Sequence, residues 1–158
     1  MSALNIYERA PVGAIVSWKD GKPQPLPSET AAIAAWWVPN GTGRLVGKTS
    51  RFVMGQSRQP VDVSVMLEPR GCDDGSGEPG FIRFPVENDL HFAIVECPPV
   101  GSCRIFSGSD EHAEMLHLAS SRAHAQVWIN NLGFRHVVMS EVTADEIAAD
   151  VVEGRAAA

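Results

Sequence analysis

LHFAIVECPPVGSCRIF, residues 90–106, carries the clearest indication of fold class in this chain. Two short segments rich in β-branched and aromatic side chains flank a Pro-Pro-Val-Gly-Ser centre, a pattern typical of two antiparallel strands joined by a turn. Similar segments, separated by Gly, Pro and Asp clusters, occur at 44–53, 61–67 and 80–86, and another strand is expected at 135–138. This series of short strands predicts an antiparallel sheet.

A long helix is predicted after these strands, over residues 110–132. Ser109 would cap its start, and Gly133 would end it in the left-handed conformation that glycine adopts without strain. At 100° per residue the apolar side chains form two stripes, so other elements would cover the helix on two sides. The wider stripe contains Met115, Leu118, Ala125, Ile129 and Leu132.

Shorter helices are predicted near both ends of the chain. Ser28 would cap a helix through AAIAAWW, residues 31–37, and a strand at 14–18 would precede it. Thr143 would cap a terminal helix over 143–152, because a Glu follows three residues later as in a capping box.

The predicted fold is therefore α+β, an antiparallel sheet of about five or six strands packed against one long helix, with short N-terminal and C-terminal helices. The length of 158 residues, with 44% hydrophobic and 20% charged side chains, predicts a single globular domain over 1–158 with a flexible tail at 153–158. We find no signal-peptide pattern and no apolar run of about 18 residues, which predicts a cytoplasmic protein without membrane contact.

Charge is divided unevenly along the chain. Residues 1–61 carry a formal balance of +4 and residues 62–158 one of −10, which together give −6. Such asymmetry is typical of a protein with a charged partner, because segregated charge speeds association and disfavours wrong partners.

We therefore expect a small non-enzymatic protein that binds another protein through a charged face, as a regulator, an inhibitor or an accessory protein of a mobile genetic element. The acidic part offers Glu141, Asp145 and Glu146 as candidate contacts with a basic partner. No cofactor or metal is expected.

A nucleic-acid-binding protein is the first alternative. No acid occurs between Glu29 and Asp62, whereas the basic segment 44–58 follows a pair of tryptophans; the candidate contacts are Trp36, Trp37, Arg44, Lys48 and Arg51. Cations for phosphates and aromatic planes for bases are what single-stranded nucleic acid requires. A simpler explanation places both tryptophans in the core and leaves the cations on an ordinary solvated face.

A small enzyme with a His/Cys site is the second alternative. On the predicted long helix, His117, Ser121, His124 and Trp128 would share a polar face about 60° wide. Two histidines two turns apart are too distant to share a metal, so a polar helix face is the expected role of this group.

Two other motifs are weaker. Residues 43–49, GRLVGKT, resemble a phosphate-binding loop but have one residue too few between the glycines and precede a predicted strand. Cys97 and Cys103 would face each other across the predicted hairpin, near enough for a bridge under oxidation, although reduced cysteines are the default in the cytosol. Cys72 lies beside two aspartates that disfavour a thiolate.

Overall fold

A computed structural model describes residues 1–52, 60–70, 80–110 and 112–148 of the chain. The elements, in chain order, are α1 Ala3–Arg9, β1 Ile15–Lys19, α2 Thr30–Trp37, β2 Gly41–Phe52, β3 Pro60–Pro69, β4 Ile82–Pro85, β5 His91–Glu96, β6 Cys103–Phe106, β7 Met115–Ala119, α3 Arg122–Leu132 and β8 Val138–Glu141. Residues 144–148 begin a further helix, whose first turn is capped by the Thr143 hydroxyl. The tail at 153–158 and Cys72 lie outside the described residues.

The strands form two antiparallel sheets. The first has five strands in the order β4-β3-β2-β1-β5, and the second has three in the order β7-β6-β8. The prediction of a mixed α+β fold with antiparallel strands is confirmed. The predicted single sheet of about five or six strands is instead two separate sheets of five and three strands, and the helices are all short.

The predicted hairpin at 90–106 is wrong, because β5 and β6 belong to different sheets. β5 pairs with β1, whereas β6 pairs with β7 and β8. Pro98 and Pro99 have no N–H to donate to a ladder, and Gly101 has a φ of 85° that turns the chain away. The Gly101 N–H instead donates to the Val142 carbonyl, and the segment crosses from one sheet to the other.

The predicted long helix over 110–132 is also wrong. Its first part contains strand β7, and only the second part is helical, as α3. The Ser121 hydroxyl accepts from the His124 N–H and caps α3, so Ser121 rather than Ser109 marks the start. The predicted end is confirmed, since Gly133 has a φ of 68° and its N–H donates to the Ile129 carbonyl.

Helix α1, which the sequence patterns did not predict, covers the main core. The Ser2 hydroxyl caps it, and its buried Ile6 packs on one face of the five-stranded sheet. The same core contains Trp18, whose ring lies over Gly41 and Gly43; a Cβ at Gly41 would be only 2.6 Å from that ring. Glycines on β2 are therefore required for Trp18 to lie flat against the sheet.

The second sheet lies between α3 and the first sheet. Ala125 and Ile129 of α3 pack on Cys103 and Ile105 of β6. On the side facing the first sheet, Met115 of β7 forms a smaller cluster with Val46 and Met66. This contact between the sheets borders the cavity considered below.

Candidate partner-binding surface

Helix α2 is an apolar helix that the rest of the described chain does not cover. None of its eight residues is buried, although its sequence, TAAIAAWW, contains one polar residue. Trp37 is 51% exposed, Val38 after the helix is 69% exposed, and Leu26 before it is 67% exposed. We call α2 with these two flanking residues the α2 surface.

Asn40 holds the C-terminal end of α2 against the body of the protein. This buried side chain donates to the Trp36 carbonyl at 2.9 Å and to the Asp20 carboxylate at 3.0 Å, and accepts from the Asp20 N–H. The indole N–H of Trp36 donates to the Lys22 carbonyl, and that of Trp18 to the Val38 carbonyl. The helix end is thus fixed by side-chain to backbone bonds, while its outer face stays in solvent.

Asp20 is part of this anchor. The Lys22 N–H donates to its carboxylate at 3.0 Å and is the largest cause of a lowered pKa, ahead of an opposing desolvation and the Asn40 amide. The Lys22 ammonium lies 3.7 Å from the same carboxylate. No local sequence pattern indicates this anchor, because Asn40 and Asp20 lie 20 positions apart in the chain.

A cavity of about 400 Å³ opens beside α2. Three tryptophans line this cavity, Trp18, Trp36 and Trp37, together with the cationic Lys19 and Lys22. The rings of Trp36 and Trp37 pack edge to face, with 5.2 Å between their centroids. The simpler explanation that placed Trp36 and Trp37 in the core is wrong, since Trp37 is half exposed and Trp36 only partly buried.

The structure does not bring the basic residues of β2 to this cavity. Arg44 lies on the side of the first sheet that faces Leu118 of β7, and its Nη1 donates to the Gly13 carbonyl, just before β1, at 3.0 Å. Lys48 lies on the opposite face of the strand, 6.0 Å from the centre of the Tyr7 ring on α1. Arg51 pairs its backbone with β3, and its side chain lies outside the described part. The segment 43–49 lies wholly within β2 and forms no loop around a phosphate.

One of the three candidate acids is already engaged within the protein. Both carboxylate oxygens of Glu146 accept from the Arg104 guanidinium, at 2.7 and 3.2 Å, and Arg104 also donates to the Val12 carbonyl. Glu141 at the end of β8 and Asp145 are exposed. Contact of these acids with a partner stays a prediction, with Glu146 the least accessible of the three.

The predicted polar face of His117, Ser121, His124 and Trp128 is not a face of one helix, because His117 lies on β7. Its ring stacks on Trp128 of α3 at 4.8 Å between centroids and 1° between planes, and Trp128 stacks on Phe134. Burial and then the nearby Arg44 lower the pKa of His117, which favours the neutral ring in this stack. Ser121 caps α3, and the His124 ring contacts the Ser120 hydroxyl.

The described residues contain no group of three His, Cys, Asp or Glu side chains placed to hold a metal ion. In the same part of the chain, no helix is both long and apolar enough to cross a membrane.

The two antiparallel sheets, the short helices and the uncovered α2 define a small α+β protein with an exposed apolar helix. The chain belongs to the family described as Uncharacterised conserved protein UCP036055, whose model matches residues 1–146. No curated protein and no solved structure matches the chain. The matched range includes every element from α1 to β8, so the α2 surface lies within the family's shared region.

Proposed function

We propose that this chain is a non-enzymatic interaction protein that binds a partner protein through the α2 surface. The observation that carries the proposal is an apolar helix of eight residues with none buried. Contiguous exposed apolar surface, bordered by polar groups, is typical of protein-binding sites. A regulator, an inhibitor or a mobile-element accessory protein would each act through such a contact.

Trp37 is the residue expected to contribute most to binding. Tryptophan is enriched among the few interface residues that dominate binding energy. An aromatic side chain buries about 150–250 Å² when fully covered, which corresponds to roughly 4–6 kcal/mol of gross transfer free energy at about 25 cal/mol per Å². Its half-exposed position in the free protein leaves a large part of that gain for a partner.

The anchoring of α2 lowers the cost of binding. Asn40 and the indole N–H of Trp36 fix the end of the helix before any partner arrives. A surface that is already ordered loses less conformational entropy on association. Because Lys19 and Lys22 line the adjoining cavity, the expected partner presents an apolar acceptor bordered by acidic groups.

Single-stranded nucleic acid is a second candidate ligand for the same surface. The cavity beside α2 combines tryptophan rings with two lysines, the chemistry that stacks bases and holds phosphates. Two features favour the protein partner: Arg44 and Lys48 point to other surfaces, and the chain carries a formal charge of −6.

A pull-down from native host lysate, with and without nuclease, tests the proposal. The bait proteins are the wild type, Val38→Asp on the α2 surface, and Val100→Asp as a matched control. Val100 is 57% exposed in the segment between the sheets, so the control has the same charge change on a similar valine. A captured protein is then identified, purified and titrated against all three baits.

The proposal predicts that the purified partner binds the wild type and Val100→Asp, and binds Val38→Asp at least about tenfold more weakly, or ~1.4 kcal/mol. The partner protein must still be captured when the lysate is treated with nuclease. Equal binding of both variants would reject the α2 surface. Capture that disappears with nuclease, together with direct binding of an oligonucleotide, would favour the nucleic-acid alternative.

A further inference from the structure

A second cavity, of about 210 Å³, lies where the two sheets meet and is separate from the α2 surface. Strands β1, β2 and the end of β5 form one side, and the end of β7 forms the other. Pockets for drug-sized ligands are about 300–1,000 Å³, so this one suits a molecule of only a few heavy atoms. We call it the inter-sheet cavity.

Opposite charges line this cavity. Arg44 on β2 and Glu96 on β5 both pair with Ile15, from opposite sides of β1. The two side chains are therefore neighbours across one strand, and both reach the cavity. Arg44 and Glu96, whose side chains both lie in the described part of the chain, form no ion pair within 4.0 Å with each other, so they line the cavity without closing on each other.

Arg44 retains donors for a ligand. A guanidinium has five N–H donors, and the bond from Nη1 to the Gly13 carbonyl uses one of them. Burial is the largest cause of a lowered Arg44 pKa, followed by the charge of Arg70, with Glu68 and Glu96 acting in the opposite direction. A carboxylate bound beside the guanidinium would offset this desolvation.

Apolar side chains separate the two charged groups. Ile15 forms the floor between them, and Leu118 from β7 faces it across the cavity. The cavity thus presents a cation and an anion with an apolar wall, an arrangement complementary to a small molecule with a carboxylate, an ammonium and a short apolar group.

We propose that the inter-sheet cavity binds a small free amino acid, with its carboxylate on Arg44, its ammonium on Glu96 and its side chain against Leu118. The ligand would bridge both sheets, since Arg44 and Glu96 belong to the first and Leu118 to the second. This site is independent of partner binding at the α2 surface.

The test uses ¹⁵N-labelled full-length protein titrated with glycine, L-alanine and L-valine to about 10 mM, which detects dissociation constants near ~1 mM. Amide shifts are expected at Gly13 and Ser120, which line the cavity, and not at Trp37. Isovalerate and isobutylamine, which are valine without its ammonium or its carboxylate, separate the two charge contacts.

The proposal predicts that at least one amino acid binds, and that isovalerate and isobutylamine each bind at least about tenfold more weakly than valine. Arg44→Gln and Glu96→Gln should each weaken binding by a similar factor. Lys48→Gln, on the same strand as Arg44 but on its other face, should leave it unchanged. Because Glu96 is exposed, its variant remains informative if Arg44→Gln fails to fold.

Two results would overturn the proposal. One is the absence of amide shifts with all three amino acids. The other is binding of isovalerate as tight as that of valine, which would make the cavity a simple anion site.

Discussion

Replacing Glu146 with Gln should destabilise the folded protein, because Glu146 is the partner of a buried arginine. The Arg104 side chain is only 7% exposed, and both of its Nη atoms donate to the Glu146 carboxylate. Hydrogen bonds to charged groups contribute about 1.5–3 kcal/mol, and breaking a fully buried pair costs about 3–5 kcal/mol. The Glu146 side chain is 35% exposed, so water can partly replace its hydrogen bonds to Arg104. We therefore expect the free energy of unfolding to fall by about 2 kcal/mol.

Thermal and urea unfolding measure this loss. In a chain of this size about 2 kcal/mol corresponds to a fall in Tm of roughly 4–8 °C. Asp145→Asn is the matched control, since it removes the same charge from the adjacent, exposed position and should change stability by less than about 0.5 kcal/mol. If the two variants unfold at the same temperature, the contact between Arg104 and Glu146 does not stabilise the fold as described.

Two further predictions concern β2 and the aromatic stack. Gly43→Ala should lower the free energy of unfolding in urea by about 1–3 kcal/mol, because the new Cβ would lie 2.6 Å from a backbone carbonyl oxygen of β3. Gly108→Ala is the control, since its Cβ meets only a side-chain oxygen at 4.0 Å. An equal loss of stability in both variants would contradict the close contact of Gly43 with β3. His117 has a pKa below its ordinary 6.5, so the unfolded chain takes up the proton first and stability should fall as pH drops through and below 6.5. Urea midpoints at several pH values should depend less on pH in His117→Gln than in the wild type. The control His124→Gln, at an exposed position, should keep the pH dependence of the wild type. A His117→Gln profile that matches the wild type would refute this prediction.

The sequence predicted most strands and α2 because these depend on local patterns. Alternating β-branched segments bounded by Gly and Pro became β1 to β6, and Gly133 ended α3 as expected. Which strands pair is decided by contacts distant in sequence, and for that reason the segment 90–106 was misinterpreted as a hairpin. The apolar residues of MLHLA, 115–119, fit a helical stripe as well as a strand, and the β6 edge decided between them.

The candidate site was predictable in its residues but not in its arrangement. Trp36 and Trp37 were singled out by type, yet no sequence pattern indicates that an apolar helix remains uncovered. Likewise, Arg44 and Lys48 would share one face of a regular strand, but the bulge between Leu45 and Gly47 in β2 places them on opposite faces. The charge division between the two parts of the chain therefore does not translate into one basic face on β2.

The affinity of the purified partner for Trp37→Ser tests the central claim most directly, because Trp37 is half exposed on α2 and makes no hydrogen bond that anchors the helix. Isothermal titration should show a loss of about 2 kcal/mol or more, roughly 30-fold, in a variant that stays folded and loses no more than the about 0.5–1.5 kcal/mol of stability that the edge contact with Trp36 provides. Wild-type affinity in a folded Trp37→Ser variant would contradict binding through the α2 surface.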